Sequence, residues 1–164
     1  MSLKRAFEPV VDARTRVLIL GSLPGDASLK AGQYYGHPQN AFWRLVGGVI
    51  GRDLATLPYP ERLEALKTAG VGLWDVIATA HRPGSLDAAI RDAEAADLRG
   101  LIASLPVLKA VAFNGVTAAK IGRRSLGDAP GLALVDLPSS SPAYTQAFAD
   151  KAAAWAILAT HLRP

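Results

Sequence analysis

The chain has 164 residues, 50% hydrophobic and 20% charged, enough for one domain with a substantial core and too few for two ordinary ones. It has no cysteine, which excludes disulfides, thiolate zinc sites and cysteine-held iron–sulfur clusters and fits an intracellular setting. The net charge of +4 and pI of about 9.6 favour a polyanionic partner without identifying one, and no run of eighteen apolar residues offers a membrane span or a secretory leader.

In chain order, Phe7, Pro9, Val10 and Val11 form a leading segment expected to pack under a sheet. Val17 to Leu20 is a short apolar run with β-branched members, the pattern of a strand buried on both faces. It stops at the loop Gly21-Ser22-Leu23-Pro24-Gly25. That loop lacks the Gly-Lys-Ser/Thr ending of a phosphate loop and the third glycine of a dinucleotide fingerprint, so both motifs are excluded. Tyr34, Tyr35, His37, Asn40, Phe42 and Trp43 then crowd aromatic, amide and imidazole groups around Gly36 and Pro38. Ligands of open α/β sheets bind at the carboxyl ends of strands, so this composition in this place predicts a pocket.

From Asn40 to Gly51 the apolar positions Phe42, Leu45, Val46, Val49 and Ile50 have helical spacing, and Asn40 can serve as the N-cap. Pro60 to Ala69 reads as a second helix with Leu63 and Leu66 inward. Val71 to Ile77 reads as a second strand, followed by the polar turn His81-Arg82-Pro83-Gly84-Ser85. A short helix is expected over Asp97 to Leu105, and a third strand over Lys109 to Phe113, ending at Asn114-Gly115. The next helix carries Lys120, Arg123 and Arg124 in its last turns, where cations suit the helix dipole whether or not they meet phosphate. Leu132 to Leu137 is the fourth strand, leading into Pro138-Ser139-Ser140-Ser141-Pro142-Ala143-Tyr144. The closing helix sets Phe148, Ala152, Trp155, Leu158 and Leu162 on one stripe.

Four buried strands alternating with helices predict a parallel sheet covered on both faces, with right-handed crossovers and the polar loops along one edge. The cleft there would hold an aromatic wall from Tyr35, amides from Asn40 and Asn114, and a serine-rich rim flanked by arginines. These are the parts needed to stack a nucleobase and hydrogen-bond its edge. His37, His81 and His161 show no ligand spacing, which argues against a metal site and against a zinc deaminase acting on the same kind of base. No cofactor is expected. Lys30, Arg44, Arg82, Lys120, Arg123 and Arg124 are candidate DNA contacts as a set, each having a solvated surface charge as the simpler explanation.

Gly21-Ser22-Leu23-Pro24-Gly25, the run Tyr35-Gly36-His37-Pro38-Gln39-Asn40-Ala41-Phe42-Trp43, Trp74-Asp75-Val76-Ile77, Arg82-x-Gly84-Ser85 and Leu137-Pro138-Ser139-Ser140-Ser141-Pro142 together resemble the uracil-DNA glycosylase superfamily. Within it they are most similar to the hypoxanthine-DNA glycosylase branch. The resemblance covers nearly the whole chain, residues 1–164 taken as one domain. It implies a three-layer α/β/α sandwich with a central four-stranded parallel sheet, and a monomeric, cytoplasmic enzyme with no membrane association, acting on DNA that contains deaminated bases. By position, Tyr35 matches the aromatic that stacks on the flipped base, Asn114 the base-reading Asn of uracil-specific enzymes, and Asn40 the catalytic Asn of the hypoxanthine branch. Ser139, Ser140, Ser141 and Pro142 match the loop that approaches the DNA backbone, and Leu23 and Pro24 lie where the base would be held.

Two positions depart from the family pattern. Leu23 stands where mismatch-specific enzymes hold water with Asn, and Leu137 where uracil-specific enzymes place a His; the leucine wedge is also missing, leaving Ser141, Pro142 or Tyr144 to fill the gap in the duplex. Glycosidic hydrolysis passes through an oxocarbenium-like transition state, in which water needs orientation more than deprotonation. The expected machinery is therefore Asn40 orienting water or sugar, with backbone N–H groups from Ser22 to Gly25, together with Asn114, stabilising the leaving base. A carboxylate, Asp26 or Asp75, is the competing base: Asp26 sits in the motif loop and comes first, while Asp75, beside Trp74 in a strand, reads rather as structural. Removal of uracil or mispaired thymine, or damaged-DNA binding without chemistry, remain as alternatives.

Overall fold

The computed structural model describes residues 3–164. Its centre is a four-stranded parallel sheet of β2 (Val17–Gly21), β3 (Val71–Asp75), β6 (Ala110–Asn114) and β7 (Ala133–Leu137), in the order β3-β2-β6-β7. All five residues of β2 are buried, as expected of a strand covered on both faces. Side chains alternate along a strand, so β2 feeds two cores. Val17 and Ile19 join one with Phe42, Trp43, Leu66 and Trp155, while Leu18 and Leu20 join the other with Ile77, Leu98, Phe113 and Leu126.

The first core is closed by α2 (Phe42–Ile50), α3 (Tyr59–Ala69), α6 (Phe148–Trp155) and α7 (Leu158–His161), and the second by α4 (Leu98–Ala103) and α5 (Val116–Leu126). Helices therefore cover both faces of the four-stranded sheet, the sandwich anticipated above. Val10 reaches β3 through an isolated antiparallel bridge to Leu73, which fixes the leading segment.

Three features differ from the sequence-based expectation. The apolar run Val71 to Ile77 is not one strand: β3 ends at Asp75, and β4 (Ile77–His81) joins a second, antiparallel sheet with β1 (Leu3–Arg5) and β5 (Arg91–Ala95). The break falls where the Val76 and Ile77 N–H groups donate to the Gly21 and Ser22 carbonyls, so the chain turns along the end of β2 instead of continuing the ladder. The closing helix is likewise two pieces, α6 and α7. Finally, the loop after β2 contains a short helix, α1 (Asp26–Ala31), ended by Gly32 at φ 66°, where a residue without Cβ is favoured.

Helix α5 lies close against β6. A Cβ on Gly122 would run into the Phe113 ring and come within 3.1 Å of Val76. Gly122→Ala is therefore expected to destabilise the protein by about 1–3 kcal/mol, read as a lower midpoint in urea unfolding, despite the better helix propensity of alanine.

Candidate active site

A cavity of about 270 Å³ opens at the carboxyl edge of the parallel sheet. Its wall is formed by the loop after β2 (Gly21 to Gly25), the Tyr34 to Asn40 segment, Asp75 at the end of β3, Asn114 at the end of β6, and Ser139 to Ala143 after β7. Three loops that follow three different strands thus meet at one place, as their polarity suggested.

The first loop is fixed from behind. Arg82 is completely buried, and its guanidinium donates to the carbonyls of Gly84 (2.9 Å), Leu23 (3.5 Å) and Pro24 (2.5 Å). Ser85 Oγ accepts from the Asp26 N–H at 2.8 Å, and Ser22 Oγ donates to Asp87 at 2.7 Å. These bonds turn the loop carbonyls outward. Among the described residues, the Leu23 and Gly25 N–H groups have no protein acceptor. Arg82 is thus removed from the set of candidate DNA contacts: its charge is satisfied inside the fold.

Tyr35 forms one wall. Its ring stacks on Phe42 with centroids 3.8 Å apart and planes 10° apart, and its carbonyl accepts from Trp43 Nε1 at 3.2 Å. Its backbone is left-handed, φ 53°, a strained conformation for an aromatic residue. The surroundings hold it there: Gly36 N–H donates to Ser28 Oγ at 2.9 Å, and a Cβ on Gly36 would approach the Ser28 backbone at 3.3 Å. Strain retained at a cavity wall is a mark of function.

Asn40 lines the cavity and its Oδ1 accepts from the Phe42 N–H at 3.0 Å. The N-cap of α2 is Ala41, without a side-chain cap, so Asn40 stands one residue ahead of the capping position expected for it; its bond to the Phe42 N–H fixes the direction of its amide. Asn114 is tied in more closely. Its Oδ1 accepts from the Ser140 N–H (2.9 Å), and its Nδ2 donates to Ser140 Oγ (2.9 Å) and weakly to the Tyr35 hydroxyl (3.4 Å). Asn114 thereby locks the late loop and Tyr35 to the end of β6. Ser139 Oγ accepts from the Ser141 N–H at 3.1 Å, and nearly buried Lys151 donates to the Ser141 carbonyl at 3.1 Å, its own pKa lowered by burial.

Of the residues singled out from the sequence, Ser22, Leu23, Pro24, Tyr35, Asn40, Asn114, Ser139, Ser140, Ser141 and Pro142 all line the cavity. Asp26 does not: its carboxylate is half exposed and paired with Lys4 on the outer side of α1. Asp26 begins α1, whose Ala27 and Ser28 line the cavity while the Asp26 side chain does not. Arg123 pairs with Asp136 at 3.0 Å, and Arg44 lies 4.4 Å over the Phe148 ring, so neither is an uncommitted charge. Among the described residues no cluster of three or more His, Cys, Asp or Glu side chains is arranged to hold a metal ion, and no helix is long and apolar enough to cross a membrane.

Asp75 is the unexpected member. It lines the cavity, is 4% exposed, and its Oδ2 has no hydrogen-bond partner among the described residues. Gly21 makes room for it: a Cβ there would lie 2.7 Å from Asp75 Oδ1 and 3.1 Å from the Tyr35 hydroxyl. Burial, reinforced by the negative charge of Asp87 and only partly offset by Arg82, pushes the Asp75 carboxyl up to about 7. Burial also pushes the Tyr35 hydroxyl above its ordinary value, so it stays neutral.

Residues 8–159 match the family model of the uracil DNA glycosylase superfamily. The chain belongs to that superfamily. It is a DNA glycosylase, and the cavity at the sheet edge is the candidate active site. Two relatives are named hypoxanthine DNA glycosylase. The one from Methanosarcina barkeri is 52% identical over 112 residues, covering 68% of this chain and 71% of its own length. The one from Methanosarcina acetivorans is 41% identical over 159 residues, covering 97% and 99%. The solution NMR structure of a candidate uracil DNA glycosylase from Methanosarcina acetivorans superposes with a TM-score of 0.85 at 41% identity, over 98% of each chain.

The buried Asp75 of this glycosylase ties stability to pH. The folded state keeps a proton that the unfolded chain, with a carboxyl near ~4, releases earlier. The stability from neutral Asp75 is full below that value and lost as pH rises through about 7. Asp75→Asn, which cannot ionise, is expected to gain on the wild type by about 2–3 kcal/mol between pH 5 and pH 8 in urea unfolding.

Proposed function

We propose that this glycosylase hydrolyses the bond between deoxyribose and hypoxanthine, the 6-oxopurine left when adenine is deaminated, in DNA. The observation that carries this reading is the cavity itself: about 270 Å³, with the aromatic Tyr35, the amides of Asn40 and Asn114 and the carboxyl of Asp75 all on its wall. The names of the two relatives support the same base. The base would be flipped from the helix and stacked on Tyr35 beside its Phe42 support.

Asn40 orients the attacking water or the sugar, its amide aimed by the bond to the Phe42 N–H. An amide suits this task, because the anomeric carbon is already electron-poor at the transition state and water needs placement more than a base. The Leu23 and Gly25 N–H groups supply dipoles for charge on the leaving base, while Ser22 holds the loop through Asp87. Ser139, Ser140, Ser141 and Pro142, held by Asn114 and Lys151, lie where the DNA strand would run, and Ser141, Pro142 or Tyr144 fills the gap left by the flipped nucleotide. The protein acts as a single-domain monomer in the cytoplasm, away from membranes, and carries no cofactor.

End-labelled duplexes carrying one hypoxanthine, uracil or mispaired thymine, treated with alkali after incubation, test the reading. Strand cleavage is expected mainly at hypoxanthine, reduced about 10²-fold by Asn40→Ala. Asn40→Asp separates that structural bond from chemistry, since a carboxylate oxygen accepts from the Phe42 N–H as an amide oxygen does: its activity is expected to fall while its thermal midpoint holds. Cleavage mainly at uracil would overturn the purine assignment.

A further inference from the structure

The roles described so far leave one buried ionisable group in the cavity without a task. Asp75 stands at the end of β3, and Oδ2 has no partner among the described residues. The titratable groups around it are Asp87 and Arg82 from the segment after β4, and Tyr34 and Tyr35 from the segment between α1 and α2. Arg82 directs its hydrogen bonds to three carbonyls and none to Asp75. Both tyrosines are neutral, and Asp87 adds negative charge nearby. An ionised carboxylate here would be an acceptor without donors, which is costly in a buried site. A neutral one carries an O–H donor on a residue that lines the cavity.

We propose that Asp75 is the general acid of the reaction, giving its proton to N7 of the departing 6-oxopurine; this rests on the hypoxanthine reading above. On the edge of hypoxanthine that carries N7 and O6 both ring-face groups are acceptors, so a wall that meets this edge must donate. Of the two, N7 shares the five-membered ring with N9, and a proton placed there draws the N9 electrons away from the sugar. As the C1′–N9 bond breaks, its electron pair moves into that ring and N7 takes the Asp75 proton, so the base leaves neutral. Water bonds through oxygen to C1′ and loses one proton to solvent, and the Asp75 carboxylate is reprotonated from solvent. The sum is one water consumed, with one free base and one sugar hydroxyl formed. The carboxyl value near 7 keeps the group protonated at and below neutrality and exchangeable near it.

The test is a set of single-turnover rates for the wild type and Asp75→Asn, on duplexes with hypoxanthine or 7-deazahypoxanthine, between pH 5.5 and 8.5. The amide of the variant can still hydrogen-bond to N7 but cannot transfer a proton. With hypoxanthine the wild type is expected to slow as pH rises through about 7. The variant should be about 10²-fold slower at pH 6 and flat with pH. With 7-deazahypoxanthine, which has C–H in place of N7, both proteins should be slow and equal, so the two changes do not add. Urea midpoints confirm that the variant is folded. A variant with the wild-type rate and pH profile overturns the proposal, and so does an equal loss on both bases, which would mean a role that does not pass through N7. A wild type that releases no hypoxanthine while releasing uracil would instead overturn the substrate reading.

Discussion

The buried Arg82 guanidinium is the interaction on which the site depends. A charge with no exposure is tolerable only when its donors are used, and here they bind the carbonyls of Leu23, Pro24 and Gly84. Those bonds hold the first loop from behind, while its Leu23 and Gly25 N–H groups keep no acceptor among the described residues. Removing the guanidinium would leave several buried carbonyls unsatisfied at once, a cost on the order of 3–5 kcal/mol. The pocket is thus shaped by a residue that never touches its contents. Burial lowers the Arg82 pKa, yet its ordinary value is so high that the charge persists.

The remaining walls are held by the same logic of satisfied polar groups. Asn114 exchanges hydrogen bonds with Ser140 on both its backbone N–H and its hydroxyl, fastening the late loop to β6 as firmly as a pair of ladder bonds. Phe42 backs Tyr35, and Trp43 holds its carbonyl, so a strained backbone is overdetermined by packing. A base that enters therefore finds its stacking wall in place and need not pay for ordering it.

Much of this was legible in the sequence, for a physical reason. The four parallel strands are buried on both faces, so they appear as unbroken apolar runs, and their loops are polar because they line a wet edge. What escaped was carried by signals too short or too exposed to show a period. Strand β5, Arg91–Ala95, is exposed at every residue and has no apolar alternation, and α1 has only six residues. The run Val71 to Ile77 misled because continuous hydrophobicity cannot reveal that a chain changes sheets midway. Asp26 and Asp75 show the limit most clearly. Sequence position placed Asp26 in the right loop, but only the structure shows that its side chain does not line the cavity. Asp75 sits in an apolar strand, where a carboxylate suggests structure, until its place in the cavity lining and its unpartnered Oδ2 are seen.

The arrangement also bears on the first loop, where neither Ser22 nor Leu23 is a carboxylate that could activate water. In glycosidic hydrolysis the barrier can be lowered at the nucleophile or at the leaving group, and the two need opposite charges in the site. A carboxylate close to the water stabilises an oxocarbenium ion, but it would also favour protonation of any second carboxyl nearby. Here Asp75, the general acid proposed above, lies near Tyr35 and Gly21, with amide groups elsewhere along the wall. Such a site favours departure of the base over activation of water. A purine suits that balance better than a pyrimidine, because its second ring offers a basic nitrogen that can take up charge as the bond to the sugar breaks.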